Sequence, residues 1–276
     1  AAAHTLVRRA EETIGLGSWV RQMAPFPAME RSGLSPVNAN AVNAVASTLG
    51  RGANQGKFHR TIDEILAGLA ERNPSKYEPA LTKLGKLLGA DASKPPDSGR
   101  CDSTWCWGNE LWLALEAKSD HEPTGVVPHK DIRQANDQLK LLAADRGLDT
   151  APPQSATIII SQKPGVHDDG IITAERHVHL IRPSTMLELA NDAQSAWDEL
   201  LAKSATLPPP ELRRLVTDTL ESRGLLPSQV HDRLTHDPVA ARAMQRVLVQ
   251  PHTGLGVLSR AMRAEIALPV QILKKP

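Results

Sequence analysis

The sequence predicts a mixed α/β (α+β) fold with helical additions at both ends. Apolar residues keep helical spacing through most of the first ninety positions, and the period then switches from 3.6 to 2 over residues 101–118. A helix–strand–strand–helix order follows, which places a sheet between helical layers. At 276 residues the chain is long enough for one large domain, or a medium one with an appendage.

Each element has its own signal. Leu6, Val7, Ala10 and Ile14 share one face of a helix over 4–14. Ser35 and Pro36 open a second helix that runs to about Leu49, with proline at its first position. Gly50, Gly52 and Gly56 then interrupt the pattern. Thr61 with Glu64, and Ser75 with Glu78, have capping-box spacing ahead of two apolar periodic runs. Gly89 ends the second of these helices. Residues 90–100 are rich in turn formers. Two strands are expected at 101–107 and 110–118, around Gly108 and Asn109.

Pro128 starts a helix that reaches Arg146, and Gly147 stops it. A β-branched strand spans Thr157–Ser161 and another His177–Arg182. Ser184 is the expected cap of a helix to Lys203. Pro208, Pro209 and Pro210 read as a rigid linker, followed by short arginine-rich helices over 211–276. The organisation expected is a helical extension at 1–60, a core at 61–205 and a second helical extension at 206–276.

Composition excludes several classes. Hydrophobic residues make up 41% and charged residues 23%, as in an ordinary globular protein. The longest apolar runs are too short to span a bilayer, and the amino end carries no charged-then-apolar leader; a cytoplasmic, membrane-free protein is expected. Two cysteines cannot frame a disulfide scaffold. Net charge is +1, yet residues 211–276 hold ten Lys or Arg against six Asp or Glu. Arg213, Arg214, Arg242, Arg246, Arg260 and Arg263 are therefore candidate phosphate contacts.

Some patterns carry little. Residues 50–57 (GRGANQGK) have the wrong glycine spacing for a phosphate-binding loop, and Phe58 stands where Ser or Thr is needed. Cys101, Cys106, His121 and His129 fit no zinc-site spacing. His177 and His179 alternate along one strand, so they share a face, at a site or at the surface.

The chemistry concentrates in residues 102–118. On the second strand, Leu111, Leu113, Leu115 and Ala117 form one face. Glu110, Trp112, Ala114, Glu116 and Lys118 form the other, where a Glu and a Lys beside Trp112 suggest a cleft more than open water. Two carboxylates supply hard oxygen ligands for Mg²⁺, and a nearby ammonium can offset charge on a phosphoryl group.

Asp102 followed by Glu116, Ala117 and Lys118 after a glycine-centred hairpin resembles the PD-(D/E)xK nuclease superfamily. The α-β-β-α-β order over about residues 61–200 fits it, as does Gln134 in the following helix. The resemblance implies a restriction-endonuclease-like mixed sheet core flanked by helices. It implies a Mg²⁺-dependent DNA nuclease, with Mn²⁺ able to substitute, in restriction or defence against foreign DNA, alongside a helicase/ATPase or other defence-system subunit. Asp102, Glu116 and the Ala117 carbonyl would hold the metal, Lys118 would position the attacking water, and Gln134 would support Lys118 or a phosphate. The alternative is a catalytically inactive module of the same fold, serving as a DNA-binding or scaffold subunit.

Two features depart from the family pattern. The literal Pro-Asp pair is Pro96 and Asp97, which makes Asp97 the fallback ligand. A two-residue turn at Gly108 and Asn109 would also set Asp102 on the face opposite Glu116; a three-residue connection or a bulge would bring it round. Glu64 and Glu78 are left out as ligands because each is expected to cap a helix.

Overall fold

A computed structural model describes residues 33–50 and 54–242. A helix expected at 4–14 lies outside them, as do Arg246, Arg260 and Arg263.

Helices come first. α1 spans Pro36–Gly50 and buries Ala41, Val42, Val45 and Leu49 on one face. α2 spans Gln55–Ala70 and α3 spans Pro74–Leu87. Neither begins at its expected cap. Asn54 accepts the Lys57 N–H and starts α2 early, which lets Phe58 stack on Trp197 at 5.3 Å. Thr61 is left in the helix interior, bonded to the Lys57 carbonyl. Asn73 caps α3 through the Ser75 N–H, with Pro74 at the first turn. Side-chain capping by Asn73 ahead of a good first residue outcompetes the serine two residues later. Glu64 and Glu78 are thereby released to pair with Lys83 and Lys94.

The central sheet has the order β1-β2-β3-β5-β7. β2 (Ser103–Trp107) runs antiparallel to both β1 (Asp91–Ser93) and β3 (Leu111–Lys118). β5 (Ala156–Ser161) and β7 (Val178–Ile181) join in parallel. β4 (Val126–Val127) and β6 (Gly165–Val166) make a separate small pair.

α4 (His129–Asp145) covers one face of the sheet: Ile132 and Ala135 pack with Ile159 and Val178, while Leu139 meets Ala114. The other face lies under α2, α3 and α6 (Pro183–Lys203), where Leu113, Leu115 and Ile158 join Ile65, Leu84 and Leu189. The short α5 is Asp168–Thr173. α7 (Pro209–Ser222) and α8 (Pro227–Leu234) extend that same apolar cluster, together with α1. The expected proline linker is therefore the start of a helix: Pro208 is the cap and Pro209 the first residue of α7. Similarly, Arg182 rather than Ser184 caps α6, with Pro183 following.

The hairpin between β2 and β3 fixes everything at the site. Trp107 pairs with Leu111, so Gly108, Asn109 and Glu110 form a three-residue connection and Glu110 is an exposed turn residue. Gly108 sits at φ +63°, a left-handed position that glycine fills without strain. The register also seats two indoles: Trp105 donates to the Leu81 carbonyl at 3.1 Å and Trp107 to that of Leu88 at 3.2 Å. A Cβ on Gly85 would lie 2.4 Å from the Trp105 ring, so glycine there makes room for it.

Candidate functional site

The three-residue connection makes Ser103 the partner of Leu115. Asp102, one residue further, donates its own N–H to the same Leu115 carbonyl at 2.9 Å. Two successive residues thus face Leu115, a local bulge that ends the ladder. Beyond it the Asp102 carboxylate reaches along β3 and accepts the Ala117 N–H at 2.7 Å. In a strand the N–H and C=O of one residue point to the same neighbour, so the Ala117 carbonyl is directed to this edge as well.

Glu116 projects from β3 toward α4 and is 1% exposed. Its Oε2 lies 3.3 Å from Lys118 Nζ, and Gln134 Nε2 donates to its Oε1 at 3.2 Å. Gln134 therefore serves Glu116, where the sequence suggested Lys118 or a phosphate. Gln138, one turn on and buried, donates to the Gly99 carbonyl and ties the turn-rich segment to α4. Asp97 lies exposed in that segment, and its charge is felt at Arg100.

Charge at the site is held under tension. Burial pushes Glu116 up to about 7, and the charges of Asp102 and Asp131 add to the shift against Lys118. Burial likewise pushes Asp102 up to about 6, with Glu78 contributing, although the Ala117 N–H and Lys118 oppose it. Burial disfavours the ammonium of Lys118, yet Glu116, Asp131 and Asp102 together hold its pKa above the ordinary lysine value. A buried carboxylate raised by the charge of a half-buried one beside it suits a hard dication, whose charge removes the repulsion. Asp102, Glu116 and the Ala117 carbonyl are the oxygen donors that fit one. Among the described residues, no three His, Cys, Asp or Glu side chains converge as a ligand set, so a metal here would be held by the carboxylate pair with backbone oxygen.

Around this pair, sequence reasoning missed Asp131 and set aside His121 and Glu78. Asp131, 6% exposed, lies one helical turn before Gln134 on α4, and its Oδ2 has no hydrogen-bond partner. The His121 Nε2 atom stands 3.6 Å from that oxygen, and His121 Nδ1 is 3.0 Å from Ser161 Oγ. Glu78 is paired with Lys94, and its charge raises Asp102. An i, i+3 relation to Gln134 was the available signal for Asp131. For Glu78 it was the stronger cap at Asn73.

Other candidates fall elsewhere. Arg242 is engaged by Asp237 in a bidentate pair through Nε and Nη2, at 3.1 and 2.5 Å, and follows a 3₁₀ turn at Val239–Ala241. It is not a free cation on an open helix face. Arg213 and Arg214 are exposed on α7. Cys101 and Cys106 are buried free thiols that burial pushes up to about 12. His129 bonds Thr173 at 3.1 Å. No helix among the described residues is long and apolar enough to cross a membrane.

Comparison with family models, with characterised proteins and with solved structures returned no match.

Proposed function

We propose that this chain is a Mg²⁺-dependent nuclease that hydrolyses phosphodiester bonds in DNA. One observation carries the reading: Asp102, just before β2, and Glu116 and Lys118, from β3, meet at one end of the sheet with Gln134 from α4. Asp102, Glu116 and the Ala117 carbonyl hold the ion, and Mn²⁺ can replace it. When bound, the metal polarises the phosphoryl oxygen and lowers the pKa of water.

The protein's own groups do the rest. Gln134 fixes the rotamer of Glu116 by binding one carboxylate oxygen. Lys118, partly exposed at 18%, keeps its charge through Glu116 and Asp131 and offers N–H donors to water and phosphate. That ammonium acts where negative charge develops, which is the point of greatest effect. Glu116 is 1% exposed, and Ala114 two residues before it packs with Leu139, so its charges interact in a dry setting.

By its resemblance to PD-(D/E)xK nucleases, the chain belongs in restriction or defence against foreign DNA, in the cytoplasm. A helicase/ATPase or another defence-system subunit is the fitting partner. The test is nicking of supercoiled plasmid with Mg²⁺ or Mn²⁺, with Glu116→Gln in parallel. Metal-dependent nicking by wild type that Glu116→Gln abolishes supports the assignment. DNA binding without cleavage by either protein makes the chain a non-catalytic module of the same fold.

A further inference from the structure

The sheet has a second functional end. Lys118 and Ser161 close β3 and β5 at the end that carries Glu116, while Leu111, Ala156 and Val178 open β3, β5 and β7 at the other. Seven steps along β3 separate the two, about 23 Å at roughly 3.3 Å per residue. At the far end a cleft of 510 Å³ opens between the segment before β5, the mouth of β7 and α8. That volume lies within the range of small-molecule sites.

Its polar lining is biased to one kind of partner. Arg176 is exposed and pairs with no acid among the described residues. Ser155 Oγ accepts the Trp112 N–H and Ser228 Oγ accepts from Asn38, both at 3.0 Å, which leaves each hydroxyl hydrogen free to donate. His177 and His231 add imidazole groups at the rim. His179, nine-tenths buried, also lines the cleft, and its Nδ1 has no partner, nor has His177 Nε2. The one acid, Asp232, is 84% exposed. Guanidinium, hydroxyl and imidazole donors around one concavity complement an acceptor-rich anion. Val37, Leu111 and Pro153 supply an apolar wall for a flat ring.

We propose that this cleft binds a phosphomonoester of nucleotide size, with its phosphate against Arg176 and the Ser155 and Ser228 hydroxyls. A dication does not suit it, since Arg176 stands beside the imidazoles and no set of three ligands converges there among the described residues. The site is independent of the nuclease reading.

The test uses the full chain, titrated by calorimetry with AMP and with inorganic phosphate, while the histidine ring signals are followed by NMR. AMP should bind saturably and shift the His177 and His231 signals, identified by their loss in His177→Gln and His231→Gln. Arg176→Ala should weaken AMP roughly tenfold, as expected for one charge-assisted contact. Arg176 is exposed, so an unchanged melting temperature shows that the loss is local. Lys118→Ala should bind AMP as wild type does. The proposal is overturned if AMP does not move these rings, if Arg176→Ala binds normally, or if Lys118→Ala abolishes binding instead. A short oligothymidylate with a free 5′-hydroxyl is the last arm. If it shifts the same rings and AMP does not, the cleft holds a nucleic-acid backbone and the monoester assignment fails.

Discussion

The Asp102 carboxylate accepts the backbone N–H of Ala117 at 2.7 Å, across the end of the β2–β3 ladder. This bond orients a half-buried acid beside Glu116 without using its second oxygen. It predicts a clean separation between two aspartates. Asp102→Asn keeps an oxygen for the Ala117 N–H, so the fold should hold and plasmid cleavage should fall by about two orders of magnitude or more. Asp97→Asn should cleave as wild type, because Asp97 lies exposed beyond the site. Loss of activity in Asp97→Asn with full activity in Asp102→Asn would reverse the assignment.

Lys118 tests the chemical step. Its ammonium acts on charge that develops in the transition state, so Lys118→Ala should lower kcat by roughly 100-fold or more and leave DNA affinity nearly unchanged. Single-turnover cleavage beside a binding titration measures both. Normal cleavage with weakened binding makes Lys118 an ordinary phosphate contact.

Gln134 is a positioning residue, acting through Glu116. Gln134→Leu removes the donor to Oε1 and leaves a buried carboxylate with one fewer partner. Cleavage should fall about tenfold, and Gln134→Asn, too short to reach, should resemble Gln134→Leu. Metal affinity, followed by Mn²⁺ relaxation enhancement, should fall alongside activity. A purely structural role would lower the melting temperature and leave the metal affinity per folded molecule unchanged.

The layered architecture was legible because Leu113, Leu115 and Ile158 alternate and the helices keep apolar stripes. The register was not, because Gly108, Asn109 and Glu110 accept either a two- or a three-residue connection. What decides is the seating of Trp105 on the α3 carbonyl of Leu81 and of Trp107 on that of Leu88, which caps α3, a tertiary fact. The bulge at Asp102 is equally invisible to periodicity. The serine and threonine caps misled because Asn54 and Asn73 stand just upstream, and with them went the reason for leaving out Glu78. The partner of Gln134 depended on which flank of α4 meets β3, which depends on the docking angle of the helix.

Glu116 also gives the metal-free protein a specific pH dependence. Its folded pKa, about 7, lies above the ordinary 4.5, so the folded state binds more protons than the unfolded one between those values. Stability from this group is full at low pH and is lost as pH rises through 7. Each unit is worth about 1.4 kcal/mol, so the effect is of order 3 kcal/mol. Urea melts in EDTA at pH 5 and pH 8 should show Glu116→Gln gaining on wild type at the higher pH. Mg²⁺ should erase the difference by favouring the carboxylate. An equal gap at both pH values means that Glu116 titrates normally.

His179 should act in the opposite sense. Burial, with the charges of His231 and His177, holds its pKa down to about 4, below the ordinary 6.5. The unfolded chain therefore binds the extra proton between those values, and stability falls as pH drops from 6.5 toward 4. His179 is 9% exposed on β7, at the wall of the cleft, and its neighbour across an isolated bridge is Pro238, so an imidazolium there has little water around it. His179→Gln keeps a polar group of similar reach without a titrating proton. Its melting temperature should depend less on pH than that of wild type between pH 6.5 and pH 5, whatever its value at pH 8. The ring signal of His179 itself, followed by NMR over the same range, should stay neutral down to about pH 5. A midpoint near 6.5 for that signal would refute the burial argument, and wild type and His179→Gln would then lose stability in parallel on acidification.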